Sequence, residues 1–249
     1  MFSFFALVAV LGVVAMQSRA VHDFLPAHLA ALTSGLFIEK GVAPEELNTA
    51  YAKRPIRILV VAGHDAEFSG AVFNGLVEAD LTLELANRLF QLFFADKHFL
   101  ASRSRTTYGY TTDFVAVFNS TEGQAGIAAF REKARSLMQT ARREGAFTKN
   151  AAVHHPAASN DISSRLYGIN QWANTHESDI VLHIHFNDYP GRPKGAPGRY
   201  SGMSIYIPER QLPNAVSSRA VAENMRAALA PFVTQSNFPP EQDGIVEDQ

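Results

Sequence analysis

Residues 58–65 read Ile-Leu-Val-Val-Ala-Gly-His-Asp, and this stretch decides the fold. Its four large apolar residues in succession predict a short strand that is buried on both faces. Gly63 ends the strand, so His64 stands just past its carboxyl end. In open α/β sheets, ligands bind at the carboxyl ends of the strands. We therefore expect His64 to lie in a functional site.

A second stretch repeats this design at residues 179–187, DIVLHIHFN, and it carries two histidines. His183 and His185 are two residues apart, so on a strand both point to the same face, and the residues alone leave either as a metal ligand. Between the two stretches, Glu78 opens a segment with apolar residues at helical spacing. Two histidines at strand ends and a carboxylate at a helix start are a plausible zinc site.

Composition narrows the function classes. The chain has 249 residues, of which 47% are hydrophobic, so it is long enough to bury the core of a globular domain. The net charge of -2 gives no electrostatic reason to expect nucleic-acid binding. The absence of cysteine excludes disulfides and thiolate ligands, although it does not fix the compartment. A metal would rely on His, Asp and Glu, which suit a catalytic zinc that keeps a water.

The amino-terminal segment is the most apolar part of the chain. Residues 2–16 are almost wholly apolar, and the run is shorter than the ~20 residues of a membrane-spanning helix. We predict a signal peptide or membrane anchor over residues 1–20 and therefore an extracytoplasmic protein, in the periplasm, the cell wall or secreted. A buried N-terminal helix is the alternative. Residues 21–54 are predicted to be a spacer with short helices, one of which begins at Pro44.

The rest of the chain, residues 55–249, is predicted to be one catalytic domain. Residues 106–160 break the alternation of strands and helices, which indicates an insertion with a strand at 115–118 and a long helix at 121–143. The pair His154 and His155 lies in its last loop and is expected at the surface. The other expected elements are a strand at 56–62, a helix at 78–94, a strand at 99–101, a helix at 164–176, a strand at 203–207 and a helix at 214–232.

Three motifs occur in an order and spacing that resemble a known family. They are the Gly63-His64 pair at a strand end, the helix start EADLTLELA at residues 78–86, and Ala173-Asn174 followed by an apolar strand that ends in IHFN at residues 184–187. Together they are similar to the zinc-dependent N-acetylmuramoyl-L-alanine amidases of bacterial cell-wall turnover. Each motif alone has low specificity, but the three in order are fairly specific.

The resemblance implies both a fold and an activity. The fold would be α/β, with a mostly parallel central sheet flanked by helices, as in phosphorylase/hydrolase-like amidases. One Zn2+ would be held by His64, Glu78 and His185, and Asn187 of the IHFN motif is a candidate for substrate binding. The reaction would be hydrolysis of the amide between N-acetylmuramic acid and L-alanine in peptidoglycan. His183 would then support the site or pack beneath it.

The sequence also departs from the family pattern. The family has a catalytic Glu on a late apolar strand, and here the nearest match is Ile245-Val246-Glu247 in a polar tail. Glu247 is therefore a candidate catalytic residue, and we expect the chain to be a fragment or a domain without its last strand. Arg165 lies farther upstream of the Ala-Asn pair than the family arginine. The alternatives are a non-catalytic peptidoglycan-binding or regulatory domain, and a zinc peptidase of different bond specificity.

Overall fold

The computed structural model describes residues 5–11 as backbone, and residues 44–150, 153, 158–193 and 196–248 in full. The strands are β1 (Phe5–Leu11), β2 (Ile56–Ala62), β3 (Val72–Phe73), β4 (Leu76–Val77), β5 (Phe99–Arg103), β6 (Arg105–Thr106), β7 (Gly109–Tyr110), β8 (Ile180–His185), β9 (Gly202–Pro208) and β10 (Ile245–Asp248). The α-helices are α1 (Pro44–Lys53), α2 (Glu78–Ala95), α3 (Thr112–Asn119), α4 (Thr121–Arg143), α5 (Asn160–Thr175) and α6 (Ala215–Leu229), and a 3-10 turn spans Pro239–Glu241.

Six strands form one central sheet in the order β10-β9-β1-β8-β2-β5. Four of its neighbouring pairs are parallel, namely β2 with β5, β2 with β8, β9 with β1 and β9 with β10. Only β1 and β8 pair antiparallel within this sheet. The predicted α/β architecture with a mostly parallel central sheet flanked by helices is therefore confirmed.

The strand β2 is buried on both faces, as its continuous apolar run predicts. Leu59 and Val61 belong to a cluster that includes Trp172 of α5, whereas Val60 and Ala62 belong to the cluster on the opposite face. Helices cover both faces, so no polar residue is needed at alternate positions of the strand. The carboxyl end of β2 is thereby fixed in the middle of the molecule, beside the end of β8.

Two helices lie wholly within the described part of the insertion. The helix predicted at 121–143 forms as α4, and the Ser120 hydroxyl caps it by accepting a hydrogen bond from the Gly123 amide at 2.9 Å. The strand predicted at 115–118 is wrong, because these residues belong to α3. Phe114 and Phe118 lie four positions apart, which places both rings on one helical face, and this face packs against the core beside Trp172. Packing has overridden the β propensity of Val115-Ala116-Val117-Phe118.

The two ends of the chain contribute strands to the sheet. The backbone of β1 lies between β8 and β9, so the helix considered for the amino terminus is not formed over residues 5–11. The signal peptide and the spacer stay predictions, since most of residues 1–43 lies outside the described residues, as do His154 and His155. α1 begins at Pro44, as predicted. Within the described ranges, no helix is long and apolar enough to cross a membrane.

Candidate metal centre

His64 lies directly after β2 and has a left-handed backbone, with φ at 62°. Its ring Nδ1 is 3.1 Å from the Phe68 carbonyl oxygen, which can only accept a hydrogen bond, so Nδ1 carries the hydrogen. The other ring nitrogen, Nε2, is 3.2 Å from Oε1 of Glu78. The contact with Phe68 therefore leaves Nε2 as the nitrogen that faces the site.

Glu78 is the first residue of α2, and its side chain is only 3% exposed. Oε1 lies 3.2 Å from a ring nitrogen of both His64 and His185 and accepts a hydrogen bond from the Phe186 amide at 2.9 Å. Oε2 accepts from the Ala71 amide at 2.9 Å. Burial alone would raise the pKa of Glu78, but the hydrogen bonds from the two histidines lower it to about 2. The carboxylate is therefore ionised.

His185 is the last residue of β8, and its Nδ1 faces Glu78. Its ring centroid is 5.0 Å from that of His64, with the two planes at 82°. Gly63 permits this approach, because a Cβ at that position would lie 2.5 Å from both His185 Cε1 and the Ile184 carbonyl oxygen. The hydrogen bond between His64 and Glu78 raises the pKa of His64 above its ordinary value.

These three side chains fit a metal ion. One ligand atom from each of His64, Glu78 and His185 lies within 4.8 Å of the other two. Two imidazoles and one carboxylate are a donor set used by catalytic zinc, and a three-residue set leaves a coordination position open. The structure thus brings together the three residues that the sequence nominates, from two strand ends and one helix start.

Two other residues considered in the sequence analysis, Asn187 and His183, lie after β8 and within it. Asn187 is half-buried, two residues beyond His185. His183 is buried one pleat deeper on the same strand, and burial lowers its pKa to about 3. Within the described part of the chain its Nε2 has no hydrogen-bond partner.

Glu247 is not brought to the cluster. It lies on β10, three strand positions from β8, which corresponds to roughly 14 Å across the sheet. Its carboxylate accepts hydrogen bonds from Arg210 and Arg219, each at 2.9 Å. The structure therefore pairs Glu247 with two exposed arginines and gives it no contact with His64, Glu78 or His185.

Sequence reasoning missed a polar network beside His64. Asp65 is buried, and its carboxylate is bound by Tyr110 and Arg165. Arg105, also buried, donates to the carbonyl oxygens of Gly63 at 3.1 Å and Ala79 at 2.6 Å. The available signal was an aspartate directly after the strand-end histidine, followed by two arginines and two tyrosines in residues 103–110.

Comparison with known proteins bears on this geometry. A family model described as N-acetylmuramoyl-L-alanine amidase matches residues 58–237, well over half of the 249 residues. The chain belongs to this amidase family. The matched segment of the amidase domain contains His64, Glu78 and His185, and it ends before Glu247. No curated protein and no solved structure matches the chain.

Membership in the amidase family defines the general class of activity. The family consists of hydrolases that act on amides of peptidoglycan, so the resemblance found in the three sequence motifs is confirmed at this level. His64 and His185 of this cluster lie at the carboxyl ends of β2 and β8, the edge of the sheet where α/β proteins bind ligands.

Proposed function

We propose that the protein is a zinc-dependent amidase that hydrolyses the bond between N-acetylmuramic acid and L-alanine in peptidoglycan, outside the cytoplasm. The observation that carries the proposal is the buried Glu78 carboxylate, which lies 3.2 Å from a ring nitrogen of both His64 and His185 within the family-matched segment. Zinc is favoured over harder cations because two of the three donors are imidazoles.

The chain's own residues prepare such a site in three ways. His64 keeps its Nδ1 hydrogen on the Phe68 carbonyl, so Nε2, which faces Glu78, is the nitrogen that zinc would take. Glu78 supplies a negative charge that is held by backbone amides of Ala71 and Phe186. His185 is brought close by Gly63. When bound, zinc would supply Lewis-acid chemistry, polarising the scissile carbonyl and activating water.

Hydrolysis needs a general base that takes a proton from the attacking water. Glu78 is engaged by both histidines, Asp65 is engaged by Tyr110 and Arg165, and Glu247 lies on the outermost strand β10. Loss of a general base typically lowers a rate by ~10²–10⁴. The position of Glu247 therefore favours a second candidate function, a zinc-binding domain that holds peptidoglycan or regulates a partner without efficient hydrolysis.

Product analysis on purified peptidoglycan separates these functions. The amidase proposal expects free amino groups on L-alanine and intact stem peptides, activity lost on chelation and restored by zinc. Binding to sacculi without product at any zinc concentration would favour the binding domain. Release of stem amino acids alone would contradict the amidase proposal and favour a peptidase of different bond specificity.

The Glu78→Gln variant serves as the matched control in each assay. It keeps the size of the side chain and removes the charge that faces both histidines. Hydrolysis that persists unchanged in this variant would show that the activity belongs to a contaminating enzyme or to another site, and the proposal would fall.

A further inference from the structure

The loop that follows β2 holds His64 in a conformation that is rare for a residue with a side chain. A non-glycine residue with φ near 60° costs roughly 1–2 kcal/mol, so it persists only where its surroundings enforce it. The contacts of residues 64–68 therefore identify what enforces the position of His64. Most of these contacts converge on Asp65.

Asp65 closes this loop by itself. Its Oδ1 accepts hydrogen bonds from the backbone amides of Glu67 and Phe68, both at 2.9 Å. Its own backbone amide donates to the Phe68 carbonyl oxygen at 3.1 Å. This same carbonyl oxygen accepts the Nδ1 hydrogen of His64. The Asp65 carboxylate thus fixes the acceptor that orients the His64 ring.

The second carboxylate oxygen of Asp65 is held from outside the loop. Tyr110 donates its hydroxyl to Oδ2 at 2.8 Å, and Nη1 of Arg165 donates to the same atom. Arg165 also pairs with Glu67 and lies over the Phe68 ring at 5.1 Å. Burial alone would raise the pKa of Asp65, but the hydrogen bonds from Phe68 and Tyr110 and the charge of Arg165 lower it. Asp65 is therefore an ionised, fully engaged acceptor.

Tyr110 reaches Asp65 from a two-stranded hairpin. Its strand partner in β6–β7 is Arg105, which donates to the carbonyl oxygens of Gly63 and Ala79. Gly63 precedes His64, and Ala79 follows Glu78. One hairpin consequently contacts the segments that carry two of the three ligands, through a buried guanidinium on one strand and a phenol on the other.

We propose that Asp65, held by Tyr110 and Arg165, is a positioning residue that fixes the His64 tautomer and ring through the Phe68 carbonyl. Asp65 touches neither substrate nor metal in this arrangement. The inference deepens the proposed function, because it concerns the same metal site. It assigns the β6–β7 hairpin, at the start of the insertion, the role of bracing that site.

The test compares Tyr110→Phe with Tyr108→Phe. The first removes only the hydroxyl that binds Asp65, whereas the second removes the hydroxyl of a 99% exposed tyrosine on the same hairpin. Asp65→Asn is a third variant that keeps an oxygen for the two loop amides and loses the charge. Each variant is compared with wild type for unfolding temperature, zinc affinity and the imidazole nitrogen shifts of His64.

The tautomer is measured in a metal-free Glu78→Ala background, where no carboxylate attracts the hydrogen to Nε2, and zinc affinity is measured with Glu78 intact. In that background, with the ring neutral, the parent protein and Tyr108→Phe are expected to show a hydrogen fixed on Nδ1 of His64. Tyr110→Phe and Asp65→Asn are expected to show a mixture of tautomers. Zinc affinity is expected to fall by ~10–100-fold in these two variants, as is typical when an outer partner of a metal ligand is removed. Tyr108→Phe is expected to bind zinc as wild type does.

The outcomes distinguish this inference from the proposed function. A wild-type protein that binds no zinc would overturn the proposed function, while the tautomer measurement would still decide the role of Asp65. An unchanged His64 tautomer in both variants would overturn the positioning role, whatever the zinc affinity. If both variants unfold at a lower temperature and bind zinc more weakly while the His64 tautomer stays unchanged, Asp65 contributes to stability alone.

Discussion

Two glutamates of this protein each lie between two nitrogen-bearing side chains, yet they belong to different kinds of site. Glu78 lies 3.2 Å from His64 and His185, and Glu247 lies 2.9 Å from Arg210 and Arg219. Glu78 is 3% exposed at a helix start, and its two histidines are about one quarter exposed. Glu247 is itself 10% exposed, but its arginines are 73% and 42% exposed.

The side chains that pair with each glutamate determine whether the cluster can bind a cation. Arginine has donors but no free lone pair, so Glu247 and its two arginines cannot together hold a cation. Histidine offers a neutral ring nitrogen, so Glu78 and its two histidines can. Glu247 therefore takes part in charge pairing alone, whereas the Glu78 cluster has the donor atoms of the metal site that we propose.

The largest expected effect is on metal binding. Glu78→Ala removes the central donor, so the bound zinc should fall from about one per chain to near zero, because only two protein ligands remain. Glu247→Ala should retain wild-type metal content. Elemental analysis of the purified variants checks both. Equal metal loss in the two variants would contradict the distinction between the sites.

The next effect is on acid stability in the metal-free protein. The pKa of Glu78 falls from an ordinary 4.5 to about 2 on folding, so its stabilising contribution is present above pH 4.5 and is lost as the pH falls through about 2. The difference between these two pKa values corresponds to roughly 3 kcal/mol of unfolding free energy. Urea unfolding between pH 5 and 2 should show a steeper decline for wild type than for Glu78→Gln. Parallel profiles would mean that Glu78 is not stabilised as an anion.

A packing change should disturb the Glu78 site without replacing any of its three side chains. In Gly63→Ala the new Cβ would meet the Ile184 carbonyl oxygen and the His185 ring, both at 2.5 Å, so we expect a loss of roughly 1–3 kcal/mol and weaker zinc binding. Gly126→Ala is the matched control, because its Cβ meets only the end of the flexible Gln171 side chain. Thermal unfolding and zinc titration measure both, and unimpaired zinc binding by Gly63→Ala would refute the close approach.

The smallest effect is expected at the surface pair. Burial alone would raise the pKa of Glu247, but the hydrogen bonds and charge of Arg210 and the hydrogen bond from Arg219 lower it. Because both arginines are exposed, solvent screens their interaction with Glu247. Glu247→Gln should therefore lower the unfolding free energy by less than about 1 kcal/mol and leave hydrolysis unchanged. A loss of turnover with intact zinc content would instead make Glu247 the catalytic residue that its sequence context suggested.

Much of the fold and the ligand set could be predicted from sequence, and the errors have physical causes. The strands β2 and β8 follow from continuous apolar runs, and β2 is buried on both faces, whereas the helices α2 and α4 follow from helical patterns in the local sequence. The segment 115–118 failed because its β-branched residues favour a strand, while Phe114 and Phe118 pack as neighbours on a helix. The contacts of Asp65 with Tyr110 and Arg165 could not be predicted, because these residues lie 45 and 100 positions away from Asp65 in the sequence.

The sequence by itself determined which elements form and which side chains stand at their ends, because hydrophobic spacing and glycine placement act over a few residues. Tertiary structure alone decided which of these ends meet. His185 and Glu78 are 107 residues apart, and they meet because β8 pairs with β2 while α2 begins beside the end of β2. It also separated Glu247 from the site, since the position of a strand in a sheet depends on long-range pairing that no local pattern encodes.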